Sequence, residues 1–240
     1  PLLLTGQPGT GKTQLAHSLA WELGFGEPLK FETKSTSVSR DLFYTYDTLG
    51  RFHAVQTGRD QADPLDFITF NALGLAILRA NTIDNVRHLL NNDSGEHRRQ
   101  RSVVLIDEID KADSDFQDDM LDVLDQMQFD IIETDKVITA RARPVIIITS
   151  NAKKDLSDPF LGRCNFHHIA FPEPSMMRKI VDAHFPEISG TLAKNAIDLF
   201  YQMRSIEAIE KKPATRELIN WIRALKADPD FKPKQLTEGH

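Results

Sequence analysis

The sequence carries one cysteine, Cys164, in 240 residues, so no disulfide can form within the chain. Stability must come from the core, and a lone thiol fits a reducing compartment. No apolar run approaches the roughly 18 residues that a membrane span needs. The opening Pro1-Leu2-Leu3-Leu4 has neither a basic leader nor a small-residue cleavage site. The expectation is a cytoplasmic protein with no membrane partner. Positive charge is also short: 29 Lys and Arg against 35 Asp and Glu leave a net charge of -6. Proteins that grip nucleic acid non-specifically show a basic face, so nucleic acid is not an expected partner. The one dense basic run, His97-Arg98-Arg99-Gln100-Arg101, sits in a polar stretch from Asn91 and reads as a solvated loop. Internal repeats and low-complexity tracts are absent.

What remains is the composition of a soluble globular protein, 40% hydrophobic and 27% charged. The length suits one large domain, or a large one with a small one. Leu2-Leu3-Leu4 stops at a glycine-rich turn and reads as a buried strand. A helix follows from Lys12, with Leu15, Leu19 and Leu23 on one face and Ala16 and Ala20 beside them, ended by Gly24 and Gly26. A second strand is expected near 28–33. Residues 39–56 read as an aromatic-rich helix. Asp63-Pro64 reads as the start of another helix that runs to about Arg79, followed by a polar connection over 81–101 with some helix.

Two continuous apolar runs, Val103-Val104-Leu105-Ile106 and Val145-Ile146-Ile147-Ile148, have the character of strands buried on both faces of a parallel sheet. Ser114 with Gln117 is a capping-box signal ahead of a core stripe of Phe116, Met120, Leu121, Leu124 and Met127. Residues 129–140 suggest a small hairpin, and Phe166 to Phe171 a further strand. After Pro172 and Pro174 the strand signals stop and three helices are expected, near 175–185, 190–204 and 214–226. The division expected is therefore 1–174 for an α/β nucleotide-binding core and 175–240 for a helical lid.

Chemistry concentrates in two motifs. Gly6-Gln7-Pro8-Gly9-Thr10-Gly11-Lys12-Thr13 fits G-x-x-x-x-G-K-[ST]. Its glycines let the backbone curl so that several N–H groups face one phosphate, and the helix that follows presents its positive end to the same anion. Lys12 is expected to reach the β- and γ-phosphates and the Thr13 hydroxyl to ligate Mg2+. At ordinary glycine usage a chance match in this length is on the order of one in a hundred. The second motif is the apolar run ending in Asp107-Glu108. Strand ends at the carboxyl edge of a parallel sheet are where α/β proteins bind ligands. Asp107 is placed to hold Mg2+ and Glu108 to polarise the attacking water as general base. Alternation along a strand separates the two carboxylates.

With these motifs, and with Ile109-Asp110-Lys111 running on from them, the chain resembles AAA+ ATPases from Leu2 to about Leu225, and is most similar to their MoxR branch. The resemblance implies a parallel-sheet P-loop core with a small C-terminal all-helical lid, and Mg2+-dependent binding and hydrolysis of ATP. Ile148-Thr149-Ser150-Asn151 looks like sensor 1, which implies that Asn151 bonds the γ-phosphate or the attacking water. Asp158-Pro159-Phe160-Leu161-Gly162-Arg163-Cys164 looks like the segment of the arginine finger, implying that Arg163 acts in a neighbouring subunit's site. Many relatives carry two adjacent arginines there, whereas this chain has Gly162 before Arg163. Lys212-Pro213-Ala214-Thr215-Arg216-Glu217-Leu218 looks like sensor 2, implying that Arg216 touches the nucleotide phosphates from the lid. The family further implies a homo-oligomeric ring, usually a hexamer, and residues upstream of the first strand that help to hold the adenine. A chaperone-like or remodelling motor is the expected role, with a protein partner such as a von Willebrand A domain protein. The alternatives are a nucleotide-gated switch or assembly scaffold with little turnover, and the motor subunit of a nucleic-acid defence or restriction system.

Overall fold

The computed structural model describes residues 1–58, 62–90, 99–151 and 156–228. His97, Arg98 and the end of the expected lid fall outside them. Two compact units are present. Pro1–Thr5 and Lys12–His168 form the first, and Gly6–Gly11 with the chain from Ile169 form the second.

The first unit begins with β1 (Leu2–Thr5), α1 (Lys12–Glu22) and β2 (Leu29–Glu32). It continues through β3 (Tyr44–Tyr46), α2 (Thr48–Gln56), β4 (Ile68–Phe70), α3 (Ala72–Ala80) and α4 (Ile83–Val86). Then come β5 (Val103–Asp107), α5 (Ser114–Gln126), the hairpin β6 (Gln128–Ile131) and β7 (Lys136–Thr139), β8 (Val145–Ser150), α6 (Asp158–Gly162) and β9 (Asn165–His168). Five strands pair in parallel in the order β2-β5-β8-β1-β9. The apolar runs occupy the middle: β5 is buried along its whole length, as is β8 after Val145. Burial on both faces is what a parallel sheet covered by helices demands. On α1 the buried face is Lys12, Ala16 and Ala20, whereas Leu15 and Leu23 are exposed. Small residues let the helix lie close, so the alanine stripe faces inward and not the leucines.

Three local expectations are corrected. The aromatic stretch 39–56 is not one helix: a 3-10 turn at Ser39–Leu42 leads into β3, and only Thr48–Gln56 is α-helical. Nor does a helix run from Asp63 to Arg79. The Asp63 carboxylate accepts from the Leu65 N–H at 3.0 Å and caps a short 3-10 turn, after which Ile68–Phe70 is a strand. Both errors have one cause. Tyr44–Tyr46 and Ile68–Phe70 are β-forming triplets that complete each other as an antiparallel pair, Tyr44 opposite Phe70 and Tyr46 opposite Ile68. Neither is long enough to show a period by itself. Third, the cap of α5 is Asp113, which accepts from the Phe116 N–H at 2.9 Å, and Ser114 is already helical.

The core of this unit gathers Leu3, Val104, Ile106, Phe116, Ile146, Ile148 and Phe160. It extends into an aromatic cluster in which Phe43 stacks on Phe129 at 4.8 Å and Phe70 meets Phe129 edge-on at 6.3 Å. The Tyr44 hydroxyl donates to Glu133 at 2.8 Å and accepts from the Ile132 N–H at 3.2 Å. The β3–β4 pair and the β6–β7 hairpin are thereby joined.

The described part of the second unit after Ile169 is helical: α7 (Pro174–His184), α8 (Gly190–Ser205) and α9 (Thr215–Ala227). Pro174 opens α7, where a missing N–H costs nothing. The Ser189 hydroxyl caps α8 by accepting from the Leu192 N–H at 3.1 Å. Met177, Val181, Ala196, Phe200, Leu218 and Ile222 form its core.

Candidate functional site

The glycine-rich turn has the backbone that the motif requires. Gly6, Gly9 and Gly11 all have positive φ, at 141°, 81° and 92°. A Cβ at Gly6 would lie 2.3 Å from the Ile169 carbonyl oxygen, and one at Gly9 would lie 2.8 Å from the Ala214 Cβ. At Gly11 an added Cβ would meet nothing within 4 Å, so conformation and not crowding requires the glycine there. Gln7, Pro8, Gly9 and Gly11 are exposed, and the Thr10 hydroxyl closes the turn by donating to the Gln7 carbonyl at 3.0 Å. The Gln7 side chain accepts from Arg204 at 2.6 Å, and the Arg204 guanidinium lies 3.5 Å over the Phe171 ring and donates to the Pro213 carbonyl. Sequence reasoning missed Arg204, because nothing in a helical stretch of α8 distinguishes an arginine that holds a distant loop from a solvated one.

In the first unit, Lys12 is buried at the start of α1. Burial lowers its pKa, opposed by the negative charges of Asp107, Asp110 and Glu108. Asp107 closes β5 and is also buried. Its Oδ1 accepts from the Thr149 hydroxyl at 2.6 Å and from the Thr13 hydroxyl at 3.3 Å, while Oδ2 meets the Lys30 ammonium at 2.9 Å. Burial pushes the Asp107 carboxyl up, but the bonds from Thr149, Lys30 and Thr13 and the charge of Lys30 outweigh it, and the net pKa is lowered. Thr13 and Asp107, expected to share one metal, are thus brought together. Thr149 and Lys30 were not foreseen. Both reach Asp107 through strand register: Ile106 pairs with Ile148, and Glu32 with Asp107.

Glu108 leaves the strand. Its backbone is left-handed, φ 59° and ψ 51°, in a region that a non-glycine residue seldom enters. Its N–H donates to the Thr149 hydroxyl at 2.9 Å, so Thr149 ties both carboxylate residues to β8. The carboxylates are therefore separated by a turn of the backbone and not by simple strand alternation. Glu108 Oε1 accepts from the Asn151 amide at 2.9 Å, and Oε2 pairs with Lys111. That bond raises the Lys111 pKa, with the charge of Glu108 adding to it. The Asn151 N–H donates to Asp110 Oδ1 at 3.1 Å, and Asp110 is buried. The two carboxylate groups thus keep separate partners, with Thr13, Thr149 and Lys30 around that of Asp107 and Asn151 and Lys111 around that of Glu108.

Arg163 follows α6, is about half exposed, and meets Asp125 at 3.7 Å. Arg216 is the second residue of α9 and is exposed. Among the described residues no hydrogen bond or ion pair joins Arg163 to the Asp107 and Glu108 cluster.

The donor set suits a magnesium nucleotide. A hydroxyl and a carboxylate 3.3 Å apart are hard oxygen ligands of the kind that Mg2+ takes beside phosphates and water. Lys12 and the glycine turn supply cationic charge and a backbone conformation suited to polyphosphate.

The family model described as "ATPase family associated with various cellular activities (AAA)" matches residues 2–172. Among solved structures, a proline-to-glycine mutant of RuvB from Thermotoga maritima is similar in fold, with a TM-score of 0.56 and 17% identity. The alignment covers 99% of this chain and 60% of that one, so the chain spans less than two thirds of its length. A comparison with curated proteins gives no match.

Proposed function

The chain belongs to the AAA family of P-loop ATPases, and from that premise we propose that it is a Mg2+-dependent, MoxR-like AAA+ motor that remodels a protein partner. The reading rests on one observation above all. Asp107 and Glu108 are adjacent in sequence yet held by different partner sets, the first with the Thr13 hydroxyl and the second with the Asn151 amide. That is the separation of tasks that hydrolysis needs, one carboxylate for a cation and one for a proton. Bound Mg2+ supplies charge neutralisation on the β- and γ-phosphates. Gly6 to Thr13 cradle the phosphates and Lys12 adds a fixed positive charge. Glu108 orients a water and accepts its proton, while Asn151 holds the Glu108 carboxylate in place.

In this proposal Arg163 completes the site of a neighbouring subunit, and Arg216 contacts phosphate from α9. Exposure of both side chains supports the reading, since each is open to a group from outside its own unit, and the Arg163 contact with Asp125 is a long one at 3.7 Å. The proposed assembly is a homo-oligomeric ring, a hexamer by family habit, built on a heterologous interface that closes. The proposed division is a nucleotide-binding core over 1–174 and a helical lid over 175–240. A cytoplasmic location and a von Willebrand A domain partner belong to the same family reading. Among the described residues no helix is long and apolar enough to cross a membrane.

One observation favours a second reading. Glu108 is engaged by Lys111 as well as by Asn151. A base paired with an ammonium suits a switch whose turnover stays low until a partner releases it.

The test is steady-state ATP hydrolysis at a series of protein concentrations, with GTP and magnesium-free controls. Activity per subunit that rises with concentration is expected, because Arg163 acts in trans. Tight ATP binding without turnover at any concentration favours the switch. Turnover per subunit that is independent of concentration, and unchanged in Arg163→Ala, overturns the shared site.

A further inference from the structure

The Asp107 carboxylate already has a cation, and it is Lys30. On β2, Lys30 pairs with Leu105, and Glu32 pairs with Asp107. Residues two apart lie on one face of a strand, so the Lys30 stem runs along the sheet and brings its ammonium to within 2.9 Å of Asp107 Oδ2. The Lys30 side chain is 43% exposed, whereas that of Asp107 is 12% exposed. A half-exposed ammonium thus reaches in from the sheet edge to a buried carboxylate. The other oxygen, Oδ1, is left with the Thr13 and Thr149 hydroxyls.

We propose that Lys30 is a positioning and charge-balancing residue for the metal carboxylate: it compensates Asp107 when no nucleotide is bound and disfavours a divalent cation that arrives without one. The physical argument concerns charge. A buried carboxylate without a partner is costly, and one beside a threonine hydroxyl is an obvious place for a free cation to lodge. The Lys30 ammonium removes both problems. It repels a divalent ion that comes alone, and it is outweighed when phosphate oxygens bring their own negative charge. The side chain is long and half exposed, so it can swing toward water, or toward the neighbouring Glu32, without disturbing the strand. The sheet edge matters here. On β8 the residue beside Asp107 is the buried, uncharged Thr149, whereas the edge strand β2 offers a charged residue with one end in solvent.

This inference rests on the reading of Thr13 and Asp107 as the divalent-cation site. The test is Mn2+ binding followed by electron paramagnetic resonance, with and without a non-hydrolysable ATP analogue, on the wild-type chain, Lys30→Met, Lys30→Arg and Asp107→Asn. Lys30→Met is expected to bind Mn2+ alone about tenfold more tightly than wild type, about 1.4 kcal/mol. With the analogue present the gain shrinks, and Lys30→Arg restores wild-type behaviour in both conditions. Lys30→Met with wild-type or weaker affinity for Mn2+ alone overturns the role of Lys30. If Asp107→Asn leaves Mn2+ binding with the analogue unchanged, the cation-site reading itself falls and this inference with it. Melting curves without metal separate charge balance from folding, since Lys30→Gln removes the charge while keeping a polar chain at the same edge. It must match Lys30→Met in Mn2+ affinity, and a Lys30→Gln that binds Mn2+ like wild type also overturns the proposal.

Discussion

Replacing Glu108 with glutamine separates binding from chemistry at this site. The substitution keeps the shape of the side chain and leaves an oxygen that can still accept from Asn151, now at 2.9 Å from Glu108 Oε1. It removes the ability to take a proton and the ion pair with Lys111. That pair lies open to solvent on its Lys111 side, so its loss changes stability little. The loss of a general base costs roughly 10²–10⁴ in turnover, or about 3–5 kcal/mol in barrier height. Phosphate release and the affinity for a fluorescent ATP analogue would be measured side by side. Glu108→Gln should fall at least about 100-fold in kcat, while affinity stays within about fivefold. Lys12→Ala should lose both. Wild-type turnover in Glu108→Gln would refute the assignment of the base, and so would equal losses of affinity and turnover.

Thr149→Val deletes a donor to Asp107 and an acceptor for the Glu108 N–H inside the core, so urea unfolding should show a loss of about 1–3 kcal/mol. Phe129→Ala empties the centre of the aromatic cluster and should cost about 3–5 kcal/mol in the same measurement. Acid unfolding tests Asp107. Its folded pKa lies below the ordinary value of 3.8, so its stabilisation is complete above that value and is lost as pH falls through the lower, folded one. Asp107→Asn should flatten the dependence of melting temperature on pH in that range, and an unchanged slope would show that the carboxylate carries no such linkage.

The central strands were legible because a parallel sheet buried on both faces asks for unbroken apolar runs, and Val103 to Ile106 and Val145 to Ile148 are such runs. The helices after Pro174 were legible from proline punctuation and spacing. β3 and β4 were not, since three residues are too few for a period and each is a strand only because the other is there. At the site, Thr13 and Asp107 could be placed together from motif chemistry alone. Lys30, Thr149 and Asp110 could not. Their contacts depend on which residue of one strand lies beside which residue of the next, and spacing along the chain carries no such information. The left-handed turn at Glu108 was equally hidden, because glutamate announces no such conformation in the way that glycine does.

The aromatic contact between the β3–β4 pair and the β6–β7 hairpin has a mechanical consequence. Phe129 on β6 is clasped by Phe43 and Phe70 from either end of the β3–β4 segment, and the Tyr44 hydroxyl bridges to the tip residues Ile132 and Glu133. Close-packed interiors yield little under load. Leu49 and Phe52 on the exposed face of α2 lie in the segment between β3 and β4, so a load taken there is shared with the β6–β7 hairpin through Phe129 and Tyr44. Two segments far apart in the chain thus answer traction at that surface as one piece.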